Sequence, residues 1–179
     1  MSRTVYNTAT SLDGFIATED HSLEWLFAAD DGEALDEHAE FMKGVGSMVM
    51  GASTYEWILR HEGDKPWPYQ IPAWVLTHRK LPRVEGDVRF AAADTDQELR
   101  DLHGEMAEAA KGRGVWVVGG GGIAADLARL GLLDEVVVSI APVTLGSGRP
   151  LLAGRVDLRV LEVRRAGDFA CARYEVVRS

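Results

Sequence analysis

Apolar and polar positions alternate along this chain in two rhythms. Short runs rich in valine and isoleucine, mostly bounded by glycine, proline or charge, predict strands at Thr4–Thr8, Ser47–Met50, Ala73–Thr77, Val115–Val118, Glu135–Ile140, Leu158–Val163 and Ala170–Val176. Longer segments predict helices over Gly32–Lys43, Ser53–Arg60, Thr95–Lys111 and Gly122–Leu130. In the last of these Ile123, Leu127 and Leu130 share one face. Ser53 or Thr54, just beyond Gly51, is placed to cap the second helix. Strand and helix alternate through the first half, which implies crossover connections and a largely parallel sheet. The final third runs strand into strand, so antiparallel strands should complete that sheet. The expected fold class is α/β, as one three-layer α/β/α domain spanning residues 1–179.

Composition narrows the function. At 46% hydrophobic and 26% charged over 179 residues, the chain has the balance of an ordinary globular protein. Its net charge of -9 disfavours nucleic acid and anionic membrane as partners. Cys171 is the only cysteine, which rules out an internal disulfide and points to a reducing, cytoplasmic setting. The opening "MSRTVYNTATSLDG" has no apolar signal core, and no apolar run reaches the roughly 18 residues of a membrane span. Metal chemistry is not expected, because His21, His38, His61, His78 and His103 show no ligand spacing. Ser11 and Ser139 lack a base partner, so a serine hydrolase is not expected either.

The most informative stretch is "VWVVGGGGIAADLARLGLL", an apolar strand run, four glycines and an amphipathic helix. Glycines at a strand-to-helix turn let a ligand approach the backbone closely. The helix start behind them offers free N–H groups and partial positive charge, which suit a phosphate. Gly119, Gly121 and Ala124 satisfy the dinucleotide fingerprint G-x-G-x-x-[GA]. A Rossmann domain would also place an acid at the end of the next strand. Here "EVVVSIAP" ends without one, and too little chain follows for a second nucleotide-binding half. A nucleotide phosphate at a non-Rossmann turn is the reading that remains.

Four segments, "NTATSLDGFIA", "MVMGASTYEW", "VWVVGGGG" and "IAPVTLGSGRPLL", resemble in order those of the dihydrofolate reductase-like superfamily. The likeness is nearest to the branch containing the reductase domain of the riboflavin-biosynthesis deaminase/reductase. It implies a mostly parallel central sheet with NADPH across its carboxyl edge, and commonly a homodimer. Carried over by position, it implies that Val118, Gly119, Gly120, Gly121, Gly122, Ile123 and Ala124 face the pyrophosphate and nicotinamide ribose. Gly51, Ser53 and Thr54 would form a second phosphate-binding helix start. Thr77, His78 and Arg79 would meet the adenosine end, Thr8, Ala9 and Ile16 the nicotinamide, and Leu145 and Gly146 a loop beside it. Relatives often carry an arginine for the 2′-phosphate where this chain has Ala52, leaving His78, Arg79 and Lys80 as either a phosphate grip or a solvated loop.

The same likeness places a substrate-binding acid on the first helix. Aligned on Phe41, a stacking aromatic, the acid is Glu37, with Asp36 one register step away. The whole run, with Asp30, Asp31, Glu33 and Glu40, also reads as a solvated helix face. Asp13 in "SLDGF" is a substrate contact or a turn residue. Trp67 and Tyr69 in "DKPWPYQIP" lie on a loop, where no helical core accounts for them. Arg149 is a candidate for a sugar phosphate. The implied activity is NADPH-dependent hydride transfer to a small heterocycle, an aminopyrimidine or pteridine. The alternative is a non-catalytic NADPH-binding sensor on the same fold.

Overall fold

The structure, a computed structural model, describes residues 2–30, 32 and 34–178, and the side chains of all of these except residues 34–36. Asp31 and Glu33, and the side chain of Asp36, therefore lie outside the described residues. The elements run β1 (Thr4–Ser11), β2 (Phe15–Ala17), α1 (Ala34–Lys43), β3 (Val45–Gly51), α2 (Ala52–Glu62), β4 (Ala73–Leu76), β5 (Val88–Ala91) and α3 (Asp96–Ala109). They continue with β6 (Gly114–Gly119), α4 (Gly121–Arg129), β7 (Glu135–Ala141), β8 (Arg149–Pro150), β9 (Leu158–Ala166) and β10 (Phe169–Val176).

Eight strands form one sheet in the order β5-β4-β3-β6-β1-β7-β10-β9. From β5 to β7 every pairing is parallel, and β10 and β9 close the sheet antiparallel. This is the expected α/β architecture. β2 and β8 form a separate two-stranded ribbon.

Burial on both faces explains why the central strands are apolar without interruption. Along β3, Met48 and Met50 pack with Trp116, Tyr55 and Ile58 on the α1/α2 side. Val49 faces the other way and joins Val115, Val117, Leu99, Met106 and Leu127 beneath α3 and α4. Removing side chains of this size from water contributes roughly 1.5–3 kcal/mol each. Helices on both faces make three layers.

β1 runs on to Ser11, beyond the expected Thr8, because it pairs with β7 as far as Ser11↔Ala141. α1 starts at Ala34 and α4 at Gly121, each displaced from its expected start. β2, β5 and β8 were not expected. β5 is a half-exposed four-residue strand, and the other two span three and two residues. Strands so short carry almost no periodic signal. No helix among the described residues is long and apolar enough to cross a membrane.

Candidate functional site

β3 and β6 lie side by side, with Met50 opposite Gly119 at their carboxyl ends. Beyond those ends the chain departs in opposite directions, into α2 on one face and α4 on the other. Such a divergence opens a crevice at the carboxyl edge of the sheet, where ligands of open α/β sheets bind.

The two turns that flank the crevice interlock. A Cβ on Gly119 would stand 2.5 Å from the Thr54 hydroxyl, and one on Gly51 would stand 3.8 Å from Ile123 Cδ1. Gly120 has φ of 106°, a left-handed conformation open to glycine. At Gly121 a Cβ would lie 2.2 Å from the Pro150 carbonyl and 2.7 Å from that of Leu151. Gly122 has nothing within 4 Å of that position. Three of the four glycines therefore have packing reasons inside the chain itself, and Gly122 is left facing open space.

Neither helix start is closed by a side chain. Gly51 is the N-cap of α2 and Gly120 that of α4, and neither position carries a side-chain cap hydrogen bond. This corrects the expected role of Ser53 and Thr54, which lie inside the first turn of α2 rather than capping it. The orphan N–H groups of both first turns remain available to an anion.

Next to these turns is a cavity of about 230 Å³. Thr8, Ile16, Ser53, Thr54, Val118, Gly119 and Gly120 line it, so seven of the sequence-predicted cofactor residues converge there. Tyr69 also lines it, together with Trp57 and Ile58 of α2. Sequence reasoning missed Ala17, His21 and Leu23 as lining residues. They come from the segment after β1, whose fold back over the crevice depends on pairing with β8. His21 has φ of 64°, uncommon for a non-glycine residue, and nothing in the sequence signals it. Burial, and next the Arg149 guanidinium, hold its imidazole below the usual range. Arg149 lines the same cavity, so its charged lining among the described residues is cationic or titratable, with no carboxylate.

The remaining sequence candidates distribute around this centre. Thr77, His78 and Ile123 line a smaller cavity of about 190 Å³ with Leu99 and Asp126. His78 Nε2 is 2.9 Å from Asp94, and Arg79 donates to Glu56 at 3.1 and 2.5 Å. Both side chains are thus engaged with carboxylates. Ala124 is fully buried in the core under α4. Leu145 and Gly146 lie off the cavity and donate their backbone N–H groups to Asp13.

Trp67 is 6% exposed and packs on Tyr55, so the loop aromatic that looked free is core. Phe41 packs edge-on against Trp116 and lines a separate cavity of about 410 Å³ on the α1 side of the sheet, with Ala9 and Glu37. Ala9 points there because side chains alternate along β1, placing it on the face opposite Thr8. Glu37 is ion-paired to Arg164 of β9. Tyr69 packs edge-on against Trp116 at 5.9 Å, so aromatic rings link the two cavities.

A model of the RibD C-terminal domain matches residues 3–172. The chain belongs to that family. YwjB of Bacillus subtilis, an uncharacterised protein, is 30% identical over 176 residues, covering 96% of this chain and 97% of its own. A provisionally assigned riboflavin biosynthesis protein of Shewanella sp. PV-4 superposes with a TM-score of 0.77 at 27% identity, covering 99% of this chain and 100% of that one. The Thermotoga maritima diaminohydroxyphosphoribosylaminopyrimidine deaminase/5-amino-6-(5-phosphoribosylamino)uracil reductase superposes with a TM-score of 0.64. At 15% identity over 98% of this chain and 57% of that one, it shares the RibD-like fold alone.

Proposed function

We propose that the protein is an NADPH-dependent reductase that delivers hydride to a small heterocycle, of the 5-amino-6-(5-phosphoribosylamino)uracil or pteridine kind. The observation that carries this reading is the pair of uncapped, glycine-led helix starts facing one crevice. Their orphan N–H groups suit a diphosphate, which needs several donors and favours the positive end of a helix. Membership of the RibD C-terminal domain family and the likeness to a uracil reductase in fold support the same reading.

NADPH, when bound, supplies the hydride; the chain supplies position. The first turns of α2 and α4 would hold the diphosphate, and Thr8, Ile16 and Val118 would border the nicotinamide. Thr77 and Ile123 would receive the adenosine end. Trp57 and Tyr69, which both line the cavity, would offer a heterocycle apolar ring surface. Arg149 brings a fixed cation to the lining, suited to an anionic group on the substrate, with the His21 imidazole in the same lining as a hydrogen-bonding partner. Each hydride delivered must be matched by one proton. Glu37 is held by Arg164 outside this cavity, and among the described residues that line it His21 and Tyr69, or a water beside them, would bring that proton.

The lack of a carboxylate in the cavity lining among the described residues also favours a second reading, an NADPH-binding sensor without turnover. Calorimetry with NADPH, followed by absorbance at 340 nm across a panel of aminopyrimidines and pteridines, tests both. Uptake with oxidation is the expected result, uptake without oxidation by any member supports the sensor, and no uptake overturns both.

The protein is further proposed to act in the cytoplasm as a homodimer. β9 ends the sheet with Val160 58%, Leu161 45% and Val163 67% exposed. An edge strand that exposes three apolar side chains between its charged ones can pair with another chain. A dimer mass in light scattering is expected, and a Val163→Lys variant should shift it toward monomer.

A further inference from the structure

The cavity is roofed by two stretches of chain far apart in sequence. β2 and β8 pair antiparallel, Phe15 with Pro150 and Ala17 with Arg149. Ile16, Ala17 and Arg149 thus reach the cavity from one ribbon of three and two residues. Isolated two-stranded ribbons are marginal even at full length, so this one must be held from outside.

One backbone bond, from the Leu12 N–H to the Val143 carbonyl at 2.7 Å, and the side chain of Asp13, in the turn between β1 and β2, do that. The Asp13 carboxylate accepts from the Leu145 N–H at 3.0 and 3.1 Å, from the Gly146 N–H at 2.7 Å and from the Ser11 hydroxyl at 2.6 Å. Ser11 Oγ in turn accepts from the Phe15 N–H at 3.0 Å, at the first residue of β2. One carboxylate therefore ties the turn before β2 to the loop that feeds β8. Beyond β8 one backbone bond continues the ribbon and a second reaches the start of α4 at the crevice. Leu151 donates to the Gly14 carbonyl at 2.9 Å, and Ala153 to that of Gly121 at 3.1 Å. The Ser11 and Leu145 bonds hold the Asp13 carboxyl down at about 2, so it is ionised throughout the ordinary pH range.

We propose that Asp13 is a positioning residue, whose carboxylate fixes the Leu145–Gly146 loop, and with it the β2–β8 ribbon, closed over the dinucleotide crevice. This rests on the functional reading above and replaces a direct substrate contact with an indirect one. A pin of this kind acts by keeping the binding-competent shape populated. Loss of the pin lowers apparent affinity by the fraction of molecules left open, with no ligand contact removed. A residue serving only its own turn would lower stability and leave the cofactor's residence unchanged.

The test compares wild type with Asp13→Asn and Asp13→Ala. It measures amide hydrogen exchange at Leu145 and Gly146, the melting temperature, and the affinity and dissociation rate of NADPH. Exchange at those two amides should quicken in both variants. NADPH should bind about tenfold more weakly in Asp13→Ala, as loss of charge-assisted hydrogen bonds implies. Asp13→Asn, which keeps one acceptor, should fall between, and the weakening should appear in the dissociation rate. If Asp13→Ala does not fold, the same comparison in Asp13→Asn decides. Quickened exchange with wild-type NADPH affinity overturns the assignment while leaving the reductase reading intact. Failure of the wild-type protein itself to take up NADPH overturns both.

Discussion

Three helices of this chain begin after a strand of the parallel sheet, and two of them begin differently from the third. α3 opens at the outer margin of the sheet with a complete capping box: Thr95 accepts from the Glu98 N–H at 3.2 Å, and Glu98 accepts from the Thr95 N–H at 3.0 Å. α2 and α4 open beside the central crevice with Gly51 and Gly120, and no side chain closes either. A helix start is normally worth capping, by about 1 kcal/mol. Where the chain serves only its own stability, it spends a threonine and a glutamate on the orphan donors. Where two adjacent strands send their helices to opposite faces, it leaves those donors free. The contrast supports the proposal that an anion is held at the crevice rather than at helix starts in general.

The largest effect should come from neighbouring glycines within one turn. Gly121→Ala puts a methyl 2.2 Å from a backbone carbonyl that belongs to the β8 region. Either the helix start or the ribbon must move, at a cost of roughly 1–3 kcal/mol by the usual penalty for overpacking. Thermal melting should drop by several degrees and NADPH uptake should be lost. Gly122→Ala meets no atom within 4 Å and removes a flexible residue from a helix, which should stabilise the free protein by roughly 0.5–1 kcal/mol. Its methyl nevertheless enters the space assigned to the diphosphate, so NADPH should bind more weakly to a more stable protein. If both variants bind NADPH as wild type does, the crevice is not a nucleotide site.

Much of this was legible in the sequence, for identifiable reasons. β3 and β6 could be read because burial on both faces makes them continuously apolar. α4 could be read because Ile123 and Leu127 recur at helical spacing. The four glycines marked a strand-to-helix turn that the structure contains, but the causes of three of them lie at Thr54, Ile123, Pro150 and Leu151, and most of those contacts are not local in sequence. The same distance hid the partners of the charged candidates. Glu37 meets Arg164 across 127 positions, and Arg79 meets Glu56 across 23. A run of acids on a helix announces charge, but not which cation will neutralise it. His21 and Arg149 escaped joint notice because only the β2–β8 pairing brings them to one cavity, and that pairing is too short to leave a pattern. Trp67 misled in the opposite direction, since proline-rich surroundings suggested a free loop although the ring is buried against Tyr55.

The smallest effects are the most discriminating, because they ask whether open and closed helix starts can be interchanged. Thr95→Ala removes the α3 cap and should cost about 1 kcal/mol of stability, read as a lower urea midpoint. NADPH affinity should not change, since α3 begins away from the crevice. Ala52→Asp makes the converse change, placing a carboxylate in the first turn of α2. A negative charge there should stabilise the free helix by roughly 0.3–1 kcal/mol. The same charge would repel a bound diphosphate, and at the effective dielectric of a protein surface the repulsion should weaken NADPH by about tenfold or more. Stability and affinity should therefore move together in neither variant: one loses stability alone, and the other gains stability while losing ligand. An Ala52→Asp protein that is more stable and binds NADPH unchanged would mean that the start of α2 is merely uncapped, and that its open N–H groups face nothing but water.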